Sequence, residues 1–95
     1  MRLSNREKEA LKEVFKDFNG ELYIFGSRTD NSKKGGDIDI IVKPSGDFNF
    51  NDILRLQSRY FSLMDTDIDI ILYDENNPFV KEVMRNAERV DLSSL

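Results

Sequence analysis

The stretch ELYIFGSRTDNSKKGGDIDIIV, residues 21–42, decides the fold. Its opening, Glu21-Leu22-Tyr23-Ile24-Phe25, is short, β-branched and aromatic, and predicts a strand that ends at Gly26. Residues 26–36 contain Gly26, Gly35, Gly36 and several small polar side chains, the composition of a loop, with room for one helical turn after Ser27. Residues 37–42 predict a second strand, halted by Pro44-Ser45-Gly46. Side chains two apart on a strand share a face, so Asp37 and Asp39 project together while Ile38, Ile40 and Val42 line the opposite side.

Outward from this stretch the pattern is helical, then alternating. Ser4-Asn5-Arg6-Glu7 reads as a capping box, and Ala10, Leu11, Val14, Phe15 and Phe18 recur at helical spacing, which predicts a helix over residues 5–18. A second helix is predicted over residues 51–64, with Ile53, Leu54, Leu56, Tyr60, Phe61 and Met64 for its buried stripe. Residues 67–72 predict a third strand whose pattern, Asp-Ile-Asp-Ile-Ile-Leu, echoes the second. Asn77-Pro78 suits an N-cap followed by Pro at the first helical position, opening a helix to residue 87, and Val90-Asp91-Leu92 adds a short terminal strand. The order α-β-loop-β-α-β-α predicts one α/β domain over residues 1–95, a small mixed β-sheet flanked by helices.

Composition narrows the chemistry. The chain has 95 residues, 34% of them charged, and a net charge of −4, a balance that argues against bulk binding to nucleic acid through a basic face. Without Cys or His, thiolate nucleophiles, Cys/His zinc sites and Ser-His-Asp triads are excluded. Catalysis would have to use carboxylates, Lys, Arg, Tyr, Ser or a hard metal held by oxygens. No apolar stretch approaches a membrane span and charged residues follow Met1-Arg2-Leu3-Ser4, so a cytoplasmic chain is expected.

The acidic strands are unusual for ordinary sheet surface, because Asp is among the poorest strand formers. If the strands of Asp37, Asp39, Asp67 and Asp69 lie near one another, up to four carboxylates crowd one face and repel unless a cation compensates. Mg²⁺ takes such hard oxygen ligands together with substrate phosphates. Gly26 directly after a strand lets backbone approach a ligand, and Ser27 adds a hydroxyl beside it. Arg28, Lys33 and Lys34 bring positive charge within reach of an anion. The competing reading is a strand-exit turn, a solvated basic loop and a half-exposed sheet.

Phe25-Gly26-Ser27, the nine-residue spacer 28–36 and Asp37-Ile38-Asp39-Ile40 together resemble the signature of the nucleotidyltransferase superfamily that includes DNA polymerase beta. The Gly-Ser-Arg opening and small size are most similar to the minimal nucleotidyltransferases, or MNT proteins, prokaryotic antitoxins encoded beside HEPN-domain toxins. The resemblance implies Asp37, Asp39 and Asp69 as catalytic and metal-binding carboxylates, two Mg²⁺ ions, and ATP as substrate. It implies Gly26 and Ser27 on the terminal phosphates, with Arg28 as helper. Asp67 competes with Asp69 for the third place; Asp69 is favoured because it lies between Ile68 and Ile70 inside the strand. Gly36 departs from the small polar residue that many relatives carry before the first Asp. The implied reaction transfers AMP from ATP to a hydroxyl of a partner protein, a HEPN toxin. So small a chain leaves little sequence to enclose an acceptor, so another protein or a second copy of this chain is expected to complete the pocket. The alternatives are a non-catalytic antitoxin that acts by binding, and an adenylyltransferase for small molecules such as antibiotics.

Overall fold

The computed structural model describes residues 2–30 and 36–95. Helix α1, Asn5–Val14, starts on the predicted capping box: Ser4 Oγ accepts from the Glu7 amide, and Glu7 Oε1 accepts from the Ser4 amide. It ends earlier than its apolar spacing suggests, because Phe15 leaves helical geometry and the chain turns. The turn brings Phe18 edge-on between Phe15 and Phe48, at ring separations of 5.9 and 5.6 Å.

Strand β1, Gly20–Phe25, runs antiparallel to β2, Ile38–Pro44, and to β4, Glu88–Val90. Pro44, expected to halt β2, is its last residue. Helix α2, Phe50–Met64, carries the chain across to β3, Ile68–Leu72, which lies parallel to β2. A second capping box, Asn49 with Asp52, opens α2 and is not anticipated above. Helix α3, Pro78–Met84, is capped by Asn77 as expected but is shorter than predicted. The terminal strand comes two residues earlier than expected, and Asp91 instead caps a 3-10 turn, Leu92–Ser94. The strand order is β3-β2-β1-β4, a mixed sheet.

The two faces are covered unequally: the α1–α2 side is packed, while on the other side Phe25 and Ile41 are buried, Asp39 is half-buried and Asp69 is exposed, so the half-exposed reading holds at β3. On one face Leu22, Ile24, Ile38, Ile40, Val42, Ile68 and Ile70 pack against Leu11, Val14 and Phe15 of the α1 segment and Ile53, Leu56 and Tyr60 of α2. On the other, Phe25 and Ile41 meet Val80 of α3. The buried stripe of α2 is narrower than predicted, for Leu54 and Phe61 are 45% and 48% exposed. Among the described residues no helix is long and apolar enough to cross a membrane.

Candidate active site

The site is built where β1 and β2 meet at one end of the sheet. Phe25, the last residue of β1, is the register partner of Asp39, and Asp39 is in turn the parallel partner of Asp69. Register partners project to the same side, so Phe25, Asp39 and Asp69 form one row on the α3 face. That face is apolar next to Phe25, with Ile41 fully buried one step further in, and it opens to solvent at Asp69. The ring of Phe79 from α3 closes the row, edge-on to Phe25 at 6.2 Å.

This placement explains the electrostatics of Asp39. Burial pushes its carboxyl up from the ordinary 3.8 to about 6, helped by a hydrogen bond to the Asp69 side chain and by the charges of Asp69 and Asp37. Fully ionised, two unit charges 4 Å apart would repel by about 4 kcal/mol at an effective dielectric near 20. A divalent cation between the two carboxylates relieves the repulsion, and they offer it the hard oxygen ligands it prefers. By charge and donor type, the Asp39–Asp69 pair fits such an ion.

Asp37 and Asp67 lie just ahead of β2 and β3 rather than inside them, and both are exposed. Both line a cavity of about 400 Å³ on the α1–α2 side, with Glu7, Arg28, Tyr60 and Thr66. Four carboxylates therefore do not share one strand face. Among the described residues no group of three acidic side chains converges as a metal site: Asp37 acts on Asp39 through its charge without closing a triad. Asp69, not Asp67, is the residue in contact with Asp39.

Gly26 begins a 3-10 turn, Gly26–Thr29, directly after β1. Its φ is +79°, and a Cβ there would stand 2.6 Å from Asp39 Oδ2, so only glycine brings this backbone against the carboxylate. Gly36 has φ +88°, and a Cβ there would stand 2.5 Å from Ser27 Oγ. The departure at Gly36 thus has a local cause, close approach of its backbone to the Ser27 hydroxyl. Lys33 and Lys34 lie outside the described residues.

Arg28 does not point to the place expected of a phosphate helper. Its guanidinium grips Glu7 with two hydrogen bonds, of 2.7 and 2.6 Å, and both side chains are only 13% exposed. Glu7 is a site-adjacent residue that the sequence reading assigned only to helix capping. Twenty-one positions separate the two, and a single sequence carries no signal that they pair. Burial alone would raise the Glu7 pKa, but hydrogen bonds from Arg28 and the Ser4 amide, with the charge of Arg28, hold it below the ordinary value.

A mixed sheet presenting a glycine-serine turn against paired strand carboxylates defines a nucleotidyltransferase fold. The family model for the polymerase beta nucleotidyltransferases matches residues 9–91, and the chain belongs to that family. Its fold is also similar to solved toxin–antitoxin structures. A crystal structure of a mutant MntA-HpeT toxin–antitoxin superposes with a TM-score of 0.67 at 15% identity, covering 86% of this chain and 70% of that one. A toxin–antitoxin crystallised with AMP-PNP gives a TM-score of 0.69 at 17% identity and the same coverages. A complex of the tri-AMPylated Shewanella oneidensis HEPN toxin with its MNT antitoxin gives 0.64 at 19% identity, covering 86% of this chain and 66% of that one. In fold, the chain thus resembles the MNT antitoxins. Comparison with curated proteins gives no match.

Proposed function

We propose that the chain is a Mg²⁺-dependent adenylyltransferase that moves AMP from ATP to a hydroxyl of a HEPN-domain partner protein, acting as its antitoxin. The observation that carries the reading is the Asp39–Asp69 pairing beside the Phe25-Gly26 turn, two adjacent carboxylates that the Gly26 backbone approaches closely. Asp39 and Asp69 would hold a divalent ion, and the family resemblance, not the position of its side chain, gives Asp37 to the same metal set. Bound there, the metal supplies charge neutralisation for the triphosphate and its leaving group. Gly26 and Ser27 hold the terminal phosphates, in keeping with the family resemblance. Asp69 takes the proton of the attacking hydroxyl. The acceptor oxygen bonds to the α-phosphorus as the bond to pyrophosphate breaks, giving an AMP ester and pyrophosphate.

Partner and nucleotide are supported by similarity to the structures above, which contain a HEPN toxin, an AMPylated toxin and AMP-PNP. The test is incubation with Mg²⁺, labelled ATP and the protein encoded by the adjacent gene, followed by intact-mass analysis. A mass gain of whole AMP units on the partner, absent with Asp39→Asn, is expected. No gain on either protein or on a small acceptor sinks the reading. A second reading, neutralisation by binding alone, is favoured by the unconverged position of Asp37. It predicts that a variant with Asp37, Asp39 and Asp69 all replaced by Asn still silences the partner.

A further inference from the structure

Arg28 joins three segments distant in sequence. Its Nε donates to the carbonyl of Gly36 at 3.0 Å, its Nη1 to the carbonyl of Arg2 at 2.9 Å and to Glu7 Oε1, and its Nη2 to Glu7 Oε2. Glu7 lies in the first turn of α1, and the same Oε1 accepts the Ser4 amide at 2.8 Å. Arg2 laces the turn from the same side, donating through its amide to the Arg28 carbonyl at 2.7 Å. Its guanidinium reaches the carbonyls of Ser27 and Asp30, each at 2.9 Å. Thr29 Oγ1 donates to the Gly26 carbonyl at 2.7 Å.

We propose that Glu7 and Arg28 are positioning residues for nucleotidyl transfer, a forked ion pair that locks the Gly26–Thr29 turn and the Gly36-Asp37 backbone to the start of α1. The inference rests on the transfer reading above. Arg28 and Gly36 flank the loop that joins β1 to β2, so their bond sets the spacing between the turn carrying Gly26 and Ser27 and the carboxylate of Asp37. A planar guanidinium is suited to this, because it fixes direction at several acceptors at once where an ammonium would not. Turning Arg28 outward to a phosphate would strand the Glu7 carboxylate, 13% exposed, without its partner. Misplacing reacting groups by an ångström slows a transfer far more than it weakens binding.

The test compares wild type with Arg28→Lys, which keeps the charge but loses the fork, and with Glu7→Gln/Arg28→Gln, which leaves no orphaned charge. Transfer is measured with Mg²⁺, labelled ATP and the partner protein, and amide hydrogen exchange is measured with no ligand. Both variants are expected to lose tenfold or more in kcat while KM for ATP moves less than threefold. The amides of Arg2 and Asp30, which donate to the Arg28 and Ser27 carbonyls, should exchange at least tenfold faster, and those of the β1–β2 ladder at the wild-type rate. A tenfold rise in KM in the double variant, with wild-type kinetics and exchange in Arg28→Lys, would make Arg28 a charge-dependent substrate ligand and overturn the proposal. Unchanged kcat and exchange in both variants overturn it too. Wild type that transfers nothing defeats the transfer reading instead, and the exchange rates then decide by themselves whether the pair locks the turn.

Discussion

Replacing Asp39 with Asn should stabilise the metal-free protein while removing its activity. Asp39 titrates at about 6 in the folded chain against an ordinary 3.8, chiefly because of burial and then because of Asp69 and Asp37. The folded state therefore holds the Asp39 proton more tightly than the unfolded chain does. This contribution favours folding in full below pH 3.8 and is lost as pH rises through about 6, where the crowded charge must form. At about 1.4 kcal/mol per pH unit the rise corresponds to about 3 kcal/mol. Asp39 is only half-buried, so screening by water reduces this to about 1–1.5 kcal/mol. For a domain of this size that is roughly 4–10 °C in Tm. Thermal melts followed by circular dichroism in chelator should place Asp39→Asn above wild type at pH 7.5, with the gap closing at pH 4. Adding Mg²⁺ should raise the wild-type Tm and leave the variant nearly unmoved. A variant no more stable than wild type at pH 7.5, or a gap indifferent to pH, refutes the crowded-carboxylate argument.

Gly26→Ala forces a side chain into a left-handed conformation and against Asp39 Oδ2, and should cost roughly 1–2 kcal/mol in urea titrations while abolishing AMP transfer. Ser4→Ala removes the α1 cap and should lower stability by about 1 kcal/mol, read as a fall in the thermal midpoint. On α2, Tyr60→Ala should cost roughly 3–5 kcal/mol because Tyr60 is 1% exposed. Phe61→Ser, on the exposed side, should stay within about 0.5 kcal/mol of wild type, and chemical denaturation showing the reverse order would mean that the helix face is misassigned.

Local signals carried most of the element list. The Ser4–Glu7 box, the Asn77-Pro78 start and the alternation of Asp37 to Val42 each act over a few residues, so they can be read without knowing the partners. Where the reading slipped, a distant contact intervened. The first helix gives way at Phe15, and Phe18 beyond it packs against Phe48 instead of continuing the helix face, while Leu54 and Phe61 are apolar yet outside the face that α2 turns to the sheet.

For the site, the sequence by itself determined the chemistry on offer: two Asp-Ile-Asp stretches, a glycine-serine turn ahead of the first, and no Cys or His. Strand alternation is a local property and gives the face of Asp39 and of Asp69, but Asp37 and Asp67 stand ahead of their strands and escape it. Only the tertiary structure decided which groups meet. The parallel register of β2 and β3 sets Asp39 beside Asp69 and leaves Asp67 outside, and chain reversal brings Glu7 to Arg28. Such pairings depend on how distant segments pack, and that packing is settled by the whole core rather than by any short stretch of residues.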